Sequence, residues 1–204
     1  MRHNYSLIIL AAGNSSRMGF PKGLLQINDI PLIKYHIDFF LKNTGEQIII
    51  VLGKDIEKYK FVLKEYQKNK NISVIQNNNI ALGPYYSLQL ALNKLKTEFC
   101  FITPVDIFPP KARTWESLKE NFTKKLKCVI PQFKNKRGHP VLISSRWKNE
   151  LLKIDKKSID FRLDYQIRLL NKAEKKIIDV ADENVLFNLN SSLELEKFTK
   201  NDLG

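Results

Sequence analysis

Leu10-Ala11-Ala12-Gly13-Asn14-Ser15-Ser16-Arg17-Met18-Gly19-Phe20-Pro21-Lys22 leaves an apolar run and turns small, glycine-containing and basic. Glycine admits positive φ and close approach of backbone to a ligand, and successive amide N–H groups in such a loop form an anion-binding concavity. The stretch therefore reads as a strand end followed by a phosphate-binding loop with a basic rim. It is not a Walker A loop, which needs Gly-Lys-Ser/Thr where this chain has Arg17-Met18. Nor is it a dinucleotide fingerprint, whose second glycine would fall at Ser15.

Outward from this loop, short apolar runs alternate with longer segments of helical period, the pattern of a mostly parallel sheet flanked by helices. The spacing predicts strands over 6–12, 47–52, 72–76, 99–103, 127–131, 141–144, 176–180 and 185–189. Helices are expected over 32–43, 56–69, 85–95, 111–125, 145–154, 161–172 and 192–199. The class is α/β. At 204 residues, with no repeat, low-complexity stretch or linker, the expectation is a single domain spanning 1–204. Residues 134–138 read as an exposed basic loop.

Hydrophobic residues make up 43% of the chain, and no apolar run approaches the ~20 residues of a membrane span. The amino terminus shows neither a signal-peptide nor a transit-peptide pattern, so a cytoplasmic location is expected. Cys100 and Cys128 both sit inside apolar runs and are expected in the core; no Cys/His spacing resembles a zinc site. The net charge of +13 invites a nucleic-acid reading. Its distribution argues against one: seven arginines stand beside twenty-seven lysines, scattered over nearly every predicted helix. A solvated lysine-rich surface, with a few charges kept for a polyanionic small molecule, accounts for the excess.

In open sheets of this kind ligands collect beyond the carboxyl ends of the strands. The run Phe99-Cys100-Phe101-Ile102-Thr103-Pro104-Val105-Asp106 is a buried strand ending in one carboxylate. A hard cation such as magnesium wants oxygen ligands and keeps several waters, so Asp106 with triphosphate oxygens makes a reasonable seat. The other reading of Asp106 is a cap for the next helix, with Pro110 near its start. Near the carboxyl end, Ser191 and Glu194 make a capping box, which leaves Asn188 without a structural explanation.

The thirteen residues from Leu10 to Lys22 match the Leu-Ala-Ala-Gly-x-Ser-x-Arg-Met-Gly-x-Pro-Lys signature of the MobA/MocA-like molybdenum-cofactor nucleotidyltransferases, and the chain resembles that family. The resemblance continues in order through Asn77, Gly83 and Ser87, Asp106, Gly138-His139-Pro140 and Asn188. It implies a three-layer α/β/α Rossmann-like nucleotidyltransferase fold with a mostly parallel mixed sheet. It also implies magnesium-dependent transfer of a nucleoside monophosphate from a nucleoside triphosphate to a small phosphorylated acceptor, releasing pyrophosphate. By resemblance Leu10, Ala11, Ala12, Gly13 and Ser15 wrap the triphosphate and Arg17 and Lys22 neutralise it. Asn77, Gly83 and Ser87 contact base and ribose. Asp106 and Asn188 hold magnesium, while His139, Arg162, Asp164 and Asn190 lie toward the acceptor.

Two departures stand out: Phe108 replaces the proline usual two residues after the aspartate, and Ser191-Ser192 replace Thr-Pro after the last asparagine. Residue chemistry leaves plainer readings beside these roles. A helix cap explains Gly83 and Ser87, His139 is equally a proton relay or a loop histidine, and Arg162 with Asp164 is equally a salt-bridged helix face. The Ala11-Ala12-Gly13 triplet resembles the cytidine-using branch and favours CTP, whereas the final Asn-x-Asn resembles the guanine-using branch, so GTP stays open. Molybdopterin is one acceptor; sugar phosphates and phosphocholine are others. A non-catalytic nucleotide- or nucleic-acid-binding protein is the more distant alternative.

Overall fold

In the computed structural model, residues 4–13, 19–43, 46–158 and 160–189 are described. Strand β1 (Tyr5–Ala11) and strand β4 (Gln47–Leu52) are apolar on both faces, as strands buried between two helical layers must be. With β5 (Ile72–Gln76), β6 (Phe99–Pro104), β7 (Cys128–Phe133), β9 (Val141–Ser144) and β10 (Lys175–Asp179) they form one sheet in the order β10-β7-β9-β6-β1-β4-β5. Neighbours run parallel except where β9 lies antiparallel between β6 and β7. A short strand β8 (Lys136–Arg137) pairs with β7, and a separate hairpin joins β2 (Gln26–Ile27) to β3 (Ile30–Pro31).

Alternation along β1 and β4 divides the core in two. Leu7, Ile9, Ile48, Ile50 and Leu52 face one helical layer, built from α1 (Leu32–Asn43), α2 (Ile56–Leu63) and α4 (Ala112–Glu120). Ile8, Ile49 and Val51 face the other, built from α3 (Pro84–Leu92), α5 (Ser145–Leu152) and α6 (Leu163–Leu169). This is the mixed, mostly parallel, three-layer fold expected. Cys100 and Cys128 are both buried, as expected.

The structure corrects several boundaries. Helix α2 stops at Leu63 and tightens into a 3₁₀ turn over Lys64–Tyr66 instead of running to 69. Helix α4 ends at Glu120, where Asn121 folds its side-chain amide back onto the Ser117 carbonyl at 2.8 Å. Helices α3, α5 and α6 are likewise shorter than the apolar period suggests, because Asn93, Lys153 and Leu170 cap them. Residues 134–138 are no open loop: Lys134 and Asn135, both at positive φ, turn β7 directly into β8.

The largest correction concerns 185–189, which is not a strand. Asp182 accepts the Asn184 N–H and starts a 3₁₀ turn over Glu183–Leu186, and only Asn188 then makes a β-bridge, to Ile107. The expected helix over 192–199, the Ser191–Glu194 box, Ser15, Arg17 and Asn190 lie outside the described residues.

His36 on α1 is buried beneath the turn after β6, its Nε2 3.2 Å from the Val105 carbonyl oxygen. Burial drives the imidazole pKa down to about 4, against the weaker opposing pull of nearby carbonyls and Asp106. The unfolded chain therefore takes up a proton near pH 6.5 that the folded protein refuses until about pH 4. Stability should be complete above pH 6.5 and decline as the pH falls through that window, by up to about 3 kcal/mol. His36→Gln should flatten the decline between pH 6.5 and 4, read by chemical denaturation at several pH values; an unchanged slope would rule this origin out.

Candidate active site

The chain runs β1, β4, β5 to one side and then crosses to β6 on the other side of β1. That reversal opens a crevice at the carboxyl ends of β1 and β6. A cavity of about 500 Å³ occupies it, lined by Leu10, Ala11, Ala12 and Gly13 from the first loop and by Lys22, Gly83, Ser87, Asp106 and Asn188. Nine residues singled out from the sequence thus share one wall.

Lys22 opens a 3₁₀ turn, Lys22–Leu24, after Pro21. Its Nζ lies 2.6 Å from Asp106 Oδ2, with the two side chains 23% and 19% exposed. Asp106 reaches that position because β6 continues β1's register: Leu10 lies opposite Pro104, and the Val105 N–H donates to the Leu10 carbonyl at 3.0 Å. The Asp106 carbonyl in turn accepts the Leu189 N–H at 2.8 Å, and Ile107 bridges to Asn188. The Asn188 Oδ1 is buried with no hydrogen-bond partner among the described residues. An orphaned amide oxygen in a cavity that a carboxylate also lines is donor chemistry a hard divalent cation fits, and it is otherwise costly to bury. No cluster of three His, Cys, Asp or Glu converges among the described residues, so a cation here would complete its shell with water and phosphate oxygens.

Gly83 adopts φ +80° ahead of Pro84, the first residue of α3, so that the amino end of α3 faces the cavity through Gly83, Pro84 and Ser87. That end of a helix dipole favours negative charge. Asn77 lies behind this wall. It is 1% exposed, its Nδ2 donates to Ser87 Oγ at 2.9 Å and its Oδ1 accepts the Asn79 N–H at 2.8 Å, so its contacts brace Ser87.

A second cavity of about 350 Å³ shares Leu10, Pro84 and Pro104 with the first. Its wall is mainly aliphatic, from Leu88, Ile102, Ile130, Val141 and Ile167, with Tyr85, Arg137, His139, Arg162 and Asp164 added. His139 bonds the Ile102 carbonyl while its Nδ1 has no partner among the described residues, which fixes Nδ1 as an acceptor in the neutral ring. Burial lowers its pKa, so the ring is an uncharged hydrogen-bond acceptor at neutral pH and not a proton donor. Arg162 forks onto Asp164 at 3.0 and 3.2 Å, and Arg168 reaches the same carboxylate at 3.0 Å. This is the exposed salt-bridged helix face, standing at the cavity rim.

The pattern of the MobA-like NTP transferase domain matches residues 7–171. The chain belongs to that family. It is 28% identical over 196 residues to a probable molybdenum cofactor guanylyltransferase from Thermococcus sibiricus, covering 93% of this chain and 95% of that one. It is also 28% identical over 144 residues to a molybdenum cofactor cytidylyltransferase from Escherichia coli, covering 67% and 68% of the two. Among solved structures, a nucleotidyl transferase from Methanothermobacter superposes with a TM-score of 0.78 at 15% identity over 98% of both chains, a likeness of fold. The protein is a nucleotidyltransferase of the MobA-like family.

This member has a cavity residue that its sequence did not advertise. Tyr59 on α2 lines the larger cavity, and its hydroxyl accepts the N–H of Gly23, next to Lys22. A Cβ at Gly23 would stand 2.7 Å from that hydroxyl and 2.9 Å from Val105 Cγ2, so only glycine lets the Lys22 turn sit so close to the Asp106 turn. Its spacing from Leu63 makes Tyr59 look like ordinary helix core. Arg137, which lines the second cavity, was hidden in a similar way, as one more basic residue of a segment that reads as an exposed loop. Gly23→Ala should cost roughly 1–3 kcal/mol of stability through overpacking. Adding Tyr59→Phe, which removes the struck hydroxyl, should recover part of it in urea denaturation; a Gly23→Ala protein as stable as the parent would contradict this packing.

Proposed function

We propose that this enzyme transfers a nucleoside monophosphate, from CTP by preference, to the phosphate of a pterin-type acceptor of molybdenum cofactor synthesis, with magnesium held by Asp106 and Asn188. The observation that carries the reading is the buried, unpartnered Asn188 oxygen, in a residue that lines the same cavity as the Lys22–Asp106 pair, with a second, largely aliphatic cavity sharing three of that cavity's lining residues.

Attack of an acceptor phosphate on the α-phosphorus needs alignment and charge neutralisation more than covalent chemistry. The attacking oxygen forms its bond to the α-phosphorus as the bond to the bridging oxygen breaks, and pyrophosphate leaves. A phosphate monoester is already ionised and needs no strong base, which fits a neutral His139. Lys22 and the backbone of Ala12 and Gly13 hold the triphosphate, with Arg17 added by family resemblance, and the amino end of α3 faces its negative charge. Magnesium, when bound, neutralises phosphate oxygens and fixes their geometry. Ser87, braced by Asn77, faces the ribose.

The second cavity favours an acceptor with a flat ring system, whose faces can pack on the aliphatic wall while Arg137 and His139 meet its polar edge. Sugars and polyols call for many hydrogen-bonding groups, and the wall is mostly aliphatic. A quaternary ammonium calls for aromatic faces or an uncommitted carboxylate. Among the described lining residues Tyr85 is the one phenol ring, and Asp164 already carries two arginines.

Thermal shift with each of four nucleoside triphosphates and magnesium should single out CTP, a ligand at 100 times its Kd adding roughly 2.7 kcal/mol. Pyrophosphate should then appear with a pterin phosphate but not with sugar 1-phosphates or phosphocholine, and Asp106→Asn should cut turnover by roughly a hundredfold or more. A larger shift with GTP would transfer the proposal to the guanine nucleotide. Nucleotide binding without pyrophosphate from any acceptor, or salt-sensitive binding to oligonucleotides in its place, would overturn it.

A further inference from the structure

Asp182 is 5% exposed, lies six residues before Asn188, and accepts hydrogen bonds from three neutral donors. Its Oδ2 takes the Lys111 N–H at 2.8 Å and the Thr114 hydroxyl at 2.6 Å; its Oδ1 takes the Asn184 N–H at 3.2 Å. Lys111 and Thr114 belong to the start of α4, which the chain reaches from Asp106 through Ile107, Phe108 and two prolines. Asn184 belongs to the turn that leads into Asn188. The carboxylate therefore joins the arm bearing Asp106 to the arm bearing Asn188.

Between these points the arms zip together. Phe108 N–H donates to the Phe187 carbonyl at 3.2 Å, Ile107 bridges Asn188, and Leu189 N–H donates to the Asp106 carbonyl at 2.8 Å. The ladder is short, a single β-bridge with its two flanking hydrogen bonds. Burying a carboxylate is costly unless its oxygens are satisfied, and here they are satisfied from both arms. The turn is also seated from below: Val185 carbonyl accepts the His139 N–H at 2.8 Å, and a Cβ at Gly138 would stand 2.2 Å from that carbonyl oxygen.

We propose that Asp182 is a positioning residue that sets the separation of the Asp106 and Asn188 oxygens by clamping their two chain arms at the end remote from the cavity. The inference rests on the reading of those two residues as the metal seat. Supporting partners behind a metal site change metal affinity by roughly 10–100-fold when removed, and a clamp acting through backbone belongs at the low end.

The test measures Mn²⁺ affinity of the full chain by electron paramagnetic resonance in the presence of CTP and without acceptor. Asp182→Asn and Thr114→Val should each weaken Mn²⁺ binding by roughly tenfold while leaving metal-free CTP binding unchanged. Gly138→Ala, which pushes the turn from the other side, should weaken it as well. Thr114→Val keeps the test alive if changes at Asp182 prevent folding. A purely structural Asp182 would lower the melting temperature and leave Mn²⁺ affinity intact below it, which overturns the proposal. Asn188→Ala separates the two failures. If it weakens Mn²⁺ binding while Asp182→Asn and Thr114→Val do not, the clamp alone is wrong; if it does not, the metal seat falls and takes the clamp with it.

Discussion

Lys22 and Asp106 stand 84 positions apart and meet at 2.6 Å because β1 and β6 are parallel neighbours in register. Parallel strands release their following loops at the same edge of the sheet, so the basic loop after β1 and the acidic turn after β6 emerge side by side whatever else the chain does. Gly23 lets them close, and Tyr59 holds the closed turn from below. Everything proposed for the site depends on this meeting. The ion pair gives Asp106 a countercharge in a partly buried crevice.

The layers explain why the edge stays in place. Side chains of β1 and β4 alternate between two helical layers, and both are packed with aliphatic and aromatic residues, from Phe40 and Trp115 on one side to Tyr85 and Trp147 on the other. A one-residue slip would turn every one of these side chains to the wrong layer. The loops that carry the site can then be irregular, since the strands beneath them have a single register.

Much of this was legible in the sequence, and for identifiable reasons. Runs such as Ile48-Ile49-Ile50-Val51, short and β-branched, read as strands covered on both faces, and the order of strands and helices follows from the alternation of period. The first loop and Asp106 stood out because their chemistry follows a strand end. What the sequence hid is long-range. Val185-Leu186-Phe187 reads as a strand by composition, but its conformation is set by Asp182, whose partners lie 68 and 71 positions away. Tyr59 serves a turn on another element, so its own helix gives no sign of it. Helix ends were overrun because the capping asparagines 93 and 121 lie inside segments whose apolar period continues past them.

The net charge of +13 suggests a strongly positive site, yet the described wall of the larger cavity carries one cation and one carboxylate, paired to each other. The two histidines nearest Asp106 do not add charge: burial keeps both His36 and His139 neutral even though the carboxylate pulls the other way. Among the described residues the Lys22–Asp106 pairing leaves backbone dipoles and the amino end of α3 to meet a triphosphate, with Arg17 outside them. On the proposed reading the triphosphate and its cation would arrive together: Asp106 and Asn188 would hold the cation, and Lys22 would then be left to the phosphates. An imidazolium near Asp106 would compete with a cation for that carboxylate, and a neutral ring would not. The surface lysines would act at longer range, by drawing polyanions toward the crevice.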